Sequence, residues 1–189
     1  DAEDWLQDPV SPPAAEKVKT KAVRSAAQTS PKVGEVTIYT DGGSINNPGP
    51  GGYGAVLIYG DEYHEFSGGF RLTTNNRMEL MGCIVALQKL PWRNKPITLY
   101  SDSSYVVNGI SKGWAINWRK NYWIKSDKKP AVNSDLWALL LDLVENLQIT
   151  FNWVKGHAGN PMNEKCDKLA VASARQKGLP VDQGYEGSQ

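Results

Sequence analysis

The chain has 189 residues, of which 40% are hydrophobic, and a formal net charge of +1. That length suits one globular domain plus a tail, with enough apolar residues for a real core. The near-neutral balance excludes a uniformly basic coat, so any nucleic-acid surface must arise from local clustering, and no apolar run approaches the ~20 residues of a membrane-spanning helix.

Residues 1–35 read as a disordered tail or linker. Pro9, Pro12, Pro13 and Pro31 interrupt a stretch rich in Ala and Ser, with little apolar periodicity. Its charge is segregated, with Asp1, Glu3, Asp4, Asp8 and Glu16 before Lys17, Lys19, Lys21, Arg24 and Lys32. A functional alternative is a basic arm that touches phosphates. The opening lacks a signal-peptide pattern. It begins with Asp rather than Met, which suggests an N-terminus processed or cut from a longer protein.

The first predicted strand is Val36-Thr37-Ile38-Tyr39-Thr40-Asp41, which Gly42-Gly43 is expected to break. A second run, Ile97-Thr98-Leu99-Tyr100-Ser101-Asp102, has the same form. Strand side chains alternate, so in each run the terminal Asp shares a face with a Tyr two residues earlier. Laid side by side and parallel, the two strands would present both carboxylates at one sheet edge and on one face. Two anions so placed repel, and a divalent metal is the leading candidate to sit between them. A single such Asp would read as a turn or helix cap; the matched phase of two favours a site.

Between these strands, residues 44–53 form a Gly/Pro-rich turn, and strands over 53–59 and 62–71 complete an antiparallel meander. Thr73-Thr74-Asn75-Asn76 supplies cap residues for a helix to about Leu90, with Glu79 in its first turns. A Glu there ordinarily interacts with the helix dipole. After the second Asp-ending strand comes a short helix over 103–109. Residues 112–129 then interleave aromatics and cations: Trp114, Trp118, Tyr122 and Trp123 with Lys112, Arg119, Lys120, Lys125, Lys128 and Lys129. That composition suits a surface that tracks a nucleic-acid backbone, although Trp114 and Trp118, spaced i, i+4, also suit a packing face. A helix follows from Ser134-Asp135, then a strand over 148–154, the loop Lys155-Gly156-His157-Ala158-Gly159, and a last helix opening at Asn160-Pro161 and stopping near Gly178. Residues 181–189 read as a second tail. Cys83 and Cys166 fall in helical patterns without paired metal spacing. They read as buried free thiols of a reducing compartment, which fits a cytoplasmic location.

Thr40-Asp41-Gly42, residues 73–80 (Thr-Thr-Asn-Asn-Arg-Met-Glu-Leu), Ser101-Asp102-Ser103, Lys155-Gly156-His157-Ala158-Gly159 and Asn163-Glu164-Lys165-Cys166-Asp167, in that order, resemble the cellular type 1 ribonuclease H family. Asn47-Pro48-Gly49-Pro50-Gly51-Gly52-Tyr53-Gly54 and Asp127-Lys128-Lys129-Pro130 match as further blocks, and the resemblance covers residues 36 to about 175. It implies an α/β fold: a mixed five-stranded sheet, three antiparallel strands plus two parallel, flanked by helices within a catalytic domain of residues 36–180. It implies that Asp41, Glu79, Asp102 and Asp167 hold two Mg²⁺ ions, for which Mn²⁺ can substitute, and that His157 shuttles protons or assists product release. The implied activity is endonucleolytic hydrolysis of the RNA strand of RNA–DNA hybrids, leaving 5′-phosphate and 3′-hydroxyl ends, by a monomer. Ser44, Asn47, Asn75, Asn76 and Ser104 would meet the RNA strand. Trp114, Trp118, Lys120, Lys128 and Lys129, in a protrusion with one extra residue near Lys112-Gly113, would grip the DNA strand. Thr74 and Asn133 match positions that bind a DNA phosphate; Asn133 also suits the N-cap of the following helix. A non-catalytic hybrid-binding module is the alternative, disfavoured because no carboxylate is missing. Related exonucleases, with a second acid two residues after the first Asp, are disfavoured by Gly43. A further hybrid-binding domain ahead of the linker is a fourth possibility.

Overall fold

The structure is a computed structural model that describes residues 15–19 and 34–188. Among the described residues, six strands form one sheet in the order β1-β4-β3-β2-β5-β6. They are β1 (Ala15–Lys19), β2 (Val36–Ser44), β3 (Gly49–Tyr59), β4 (Glu62–Thr73), β5 (Ile97–Ser101) and β6 (Ile149–Trp153). The helices are α1 (Asn75–Gln88), α2 (Ser104–Ser111), α3 (Trp114–Lys120), α4 (Ser134–Val144), α5 (Pro161–Ala174) and α6 (Gln183–Glu186). The five expected strands are present, with β2, β3 and β4 antiparallel and β5 and β6 parallel to β2.

Three expectations change. Within the expected tail of residues 1–35, Ala15–Lys19 pairs antiparallel with β4 and makes a sixth, edge strand. The pairing satisfies main-chain groups that a bare β4 edge would leave open. The rest of residues 1–33 lies outside the described residues. At the other end, residues 181–188 are not a free tail: Asp182 is buried and caps α6 through Tyr185. Lastly, Gly42-Gly43 does not break β2, which pairs with β3 as far as Ser44. An added Cβ at Gly42 would stand 2.3 Å from the Met78 carbonyl carbon. Gly42 therefore marks the close approach of α1, not a strand end.

Each face of the sheet is covered. Val36 and Ile38 of β2 and Ile97 and Leu99 of β5 point to the main core with Met78, Leu80, Ile84 and Leu87 of α1 and Trp137 of α4. Tyr39, Val56 and Tyr63 point the other way, against Cys166 of α5. The strand alternation read from the sequence is thus the alternation of two packed layers. Both cysteines are buried and free. No helix among the described residues is long and apolar enough to cross a membrane.

Candidate active site

β2 and β5 are adjacent and parallel, with Tyr39 opposite Tyr100 and Thr40 opposite Ser101. The two tyrosines stack at 5.0 Å between ring centroids. Continuing that register by one residue brings Asp41 beside Asp102, as the phase argument requires. Glu79 enters from the second turn of α1, whose backbone lies against Gly42. Thr74 caps that helix, accepting from the Arg77 N–H.

Asp41, Glu79 and Asp102 each place a carboxylate oxygen within 4.8 Å of the others. Asp167 of α5 stands outside that tight triad but lines the same cavity of about 410 Å³, together with His157, Asn75, Asn76 and Ser104. Four acids from four separate elements therefore converge on one opening. Gly156 makes the approach of the His157 loop possible: a Cβ there would sit 2.7 Å from Asp102 Oδ2. His157 is exposed, with its backbone in the left-handed region at φ 55°.

The electrostatics are severe. Burial, then the neighbouring Asp102 charge, pushes the Asp41 carboxyl up to about 8. Glu79 lies well above the ordinary carboxylate range, first through burial and next through Asp41 and Asp102. Asp102 is raised as well, chiefly by burial. The Gly42 N–H donates to Asp41 Oδ1 at 2.9 Å, but Glu79 Oε2 is buried with no hydrogen-bond partner. No Lys or Arg among the described residues forms an ion pair with this triad. An all-oxygen donor set with an orphaned buried oxygen fits a hard divalent cation.

The residues expected to meet RNA gather at the rim. Asn75 Oδ1 accepts from the Ser44 N–H at 2.8 Å and lies 3.1 Å from the Ser44 hydroxyl, which donates to it. Asn47 Oδ1 in turn accepts from the Asn75 N–H at 3.1 Å. Ser44 also lines an adjoining cavity of about 220 Å³ with Asp41 and Asp167. The expected DNA-facing residues divide. Lys120, Lys128 and Lys129 are exposed. Trp114 is partly exposed, with Lys112 Nζ 5.5 Å from its ring centroid. Trp118 meets the core edge-on at Trp137, 6.1 Å away, so it serves packing as well. Gly113, at φ 72°, makes the turn that joins α2 to α3. Thr74 and Asn133 are buried at the starts of α1 and α4. Asn133 does not cap α4 through its side chain; it donates to the Tyr105 hydroxyl at 3.1 Å, and its Oδ1 has no partner.

Sequence reading missed what ties those two helix starts together. Arg77, fully buried, donates to both oxygens of Asp135 and both oxygens of Asp182, all at 3.1 Å. Thr73 Oγ1 donates to Asp182 at 2.7 Å. A charged residue on the buried side of an otherwise apolar helix was the available signal. Tyr105, which lines the cavity and accepts from both Asn133 and Trp137 Nε1, was also passed over.

The RNase H family model matches residues 33–175. The Ribonuclease H of Desulforamulus reducens is 57% identical over 148 residues, covering 78% of this chain and 92% of its own. The Ribonuclease HI of a Synechocystis strain is 52% identical over 151 residues, 79% of this chain and 94% of its own. Among solved structures, LC9-RNase H1, a type 1 RNase H with the type 2 active-site motif, superposes with a TM-score of 0.66 at 29% identity over 85% of this chain and 82% of its own. The match runs through every element that contributes an acid to the cavity, and the chain belongs to the RNase H family.

Proposed function

We propose that the chain hydrolyses the RNA strand of RNA–DNA hybrids endonucleolytically, leaving 5′-phosphate and 3′-hydroxyl ends, with Asp41, Glu79, Asp102 and Asp167 holding two Mg²⁺ ions. The observation that carries this reading is the convergence of those acids on one cavity with an unpartnered Glu79 oxygen. Divalent ions held by these four carboxylates would supply Lewis-acid charge to acidify a water and stabilise a departing oxygen. The chain's own groups do the rest. Ser44, Asn47, Asn75, Asn76 and Ser104 offer short polar groups to the 2′-hydroxyls that distinguish RNA. They hold the scissile phosphate over the carboxylates, so that water adds to phosphorus and the bond to the 3′-oxygen breaks. His157, on its glycine-flanked loop, moves a proton and assists release of the cut end. Lys120, Lys128 and Lys129, with Trp114 and Trp118, grip the DNA strand. A DNA phosphate lies at the starts of α1 and α4 beside Thr74 and Asn133. The chain acts as a cytoplasmic monomer.

The deciding experiment is cleavage of an end-labelled hybrid, with and without Mg²⁺, by the wild type and by Asp41→Asn. We expect Mg²⁺-dependent cutting of the RNA strand alone, and a loss of about 10³-fold or more in the variant. A near-normal rate for Asp41→Asn removes the assignment. Tight hybrid binding without turnover by the wild type would instead make the chain a binding module. Neutralising Lys120, Lys128 and Lys129 together is expected to raise KM steeply and flatten the salt dependence of binding by about three contacts' worth. An unchanged salt slope would mean that these lysines only face solvent.

A further inference from the structure

The chain leaves α3 through two consecutive bulky residues in the left-handed region, Tyr122 at φ 55° and Trp123 at φ 61°. That conformation strains an aromatic residue and suits glycine. Trp123 has a structural return for the strain. Its ring packs on the core, its N–H donates to the Trp118 carbonyl at 2.7 Å, and its carbonyl accepts from Ala131 at 2.8 Å. Tyr122 has none. It is 88% exposed, more than any other large hydrophobic residue among those described. Its hydroxyl has no partner among the described residues, and only its backbone N–H is engaged, with Arg119.

The turn that presents the ring is nevertheless well tied. Asn121 Nδ2 donates to the Ile124 carbonyl at 2.8 Å, and the Ile124 N–H returns to the Asn121 carbonyl at 3.0 Å. A bridge between Ile124 and Pro130 closes the following loop, which carries Lys128 and Lys129. The one acid in that loop, Asp127, is occupied by Lys125 at 3.7 Å and by the Lys129 N–H at 3.0 Å. A solvent-facing aromatic on a tied turn, among free cations, is the arrangement that fits a sugar–phosphate strand, with the ring face on sugar or base and the cations on phosphates.

We propose that Tyr122 is a further specificity-determining residue, its ring lying against a deoxyribose of the DNA strand of the hybrid; this rests on the reading above. Bases in a duplex are paired and stacked, so the sugar is the face available to a ring outside the helix. A deoxyribose offers an apolar C2′ methylene. A ribose would bring a 2′-hydroxyl under the ring, to be desolvated without a partner.

The test compares Tyr122→Gly and Tyr122→Phe with the wild type in steady-state hybrid cleavage with Mg²⁺ and in thermal unfolding. For Tyr122→Gly we expect KM to rise about tenfold with kcat within about twofold, while Tm stays equal to or above that of the wild type because the left-handed strain is relieved. Tyr122→Phe, which keeps the ring, should hold KM within about twofold of wild type. An unchanged KM in Tyr122→Gly would overturn the proposal, as would a fall in kcat and Tm together, which marks a structural residue. If the wild type itself cuts no hybrid, the proposed function fails and this inference with it; if the wild type cuts normally and Tyr122→Gly matches it, only this inference fails.

Discussion

Arg77 and Glu79 lie two residues apart in α1, and each is the buried centre of a cluster containing two aspartates. Around Arg77 the aspartates are 135 and 182, and a guanidinium bonds all four of their oxygens. Around Glu79 they are 41 and 102, and the third member is a further acid. Burial raises the carboxyls in both clusters. Asp135 reaches about 7 and Asp182 about 6, with the Arg77 charge pulling each back down. Asp41 reaches about 8, with the like charge of Asp102 adding to the burial. One cluster carries its counter-charge in the chain and is therefore a clamp, joining α1, α4 and the C-terminal segment. The other must receive its counter-charge from outside, which is what makes it a site.

Removing the cation from the clamp should give the largest effect. Arg77→Met leaves two buried carboxylates without their partner, and such a loss costs about 3–5 kcal/mol. The check is the midpoint of urea unfolding. Arg77→Lys should recover little of the loss, because one ammonium cannot satisfy two bidentate carboxylates. A loss below about 1 kcal/mol in Arg77→Met would mean that the clamp relaxes around the gap, and the contrast between the clusters would soften.

The same logic reverses the sign at the site. Asp41 has a folded-state pKa of about 8, above its unfolded value. Below about pH 4 both states are protonated and the group costs nothing. Between about pH 4 and 8 the unfolded chain releases the proton while the folded chain keeps it, so wild-type stability falls across that window. Asn at position 41 does not titrate. In EDTA, Asp41→Asn should therefore gain stability over wild type as pH rises from about 4 to 8, and the gain should level off above that window. Urea titrations at several pH values measure the difference. A gap that does not vary with pH would show that Asp41 is not strained by its neighbours.

The two clusters also differ in how far they could be read in advance. Asp41 and Asp102 were legible because strand alternation is a two-fold choice, and each acid shares its phase with a tyrosine of its own strand. Glu79 was not legible from its surroundings, where a Glu in a first turn reads as a dipole partner; the resemblance of residues 73–80 supplied it. The clamp escaped because its members lie 58 and 105 residues apart in sequence, with no periodicity to link them. Asp135 read as a helix start and Asp182 as part of a tail after Gly178-Leu179-Pro180, each a sound local reading that tertiary pairing overrides. Gly42-Gly43 failed similarly. Glycine signals both a chain break and a close approach, and only the position of Met78 decides between them.

The smallest effect is a count of protons. Because burial and Asp102 hold the Asp41 proton up to about pH 8 in the metal-free protein, a divalent ion that needs the carboxylate must displace it. Titrating Mg²⁺ into the protein at pH 7 in two buffers of different ionisation enthalpy should show at least one proton released per loaded site, with the Asp41 share declining above about pH 8. Affinity should weaken correspondingly as pH drops below about 8. The Arg77 clamp is the internal control, since its carboxylates already have their cation and should contribute no release. The Asp41→Asn variant, lacking the proton, should release less than the wild type at every pH in the window. Release unchanged by that substitution would place the displaced proton on another acid of the cavity, such as Glu79, which burial also holds well above the ordinary carboxylate range.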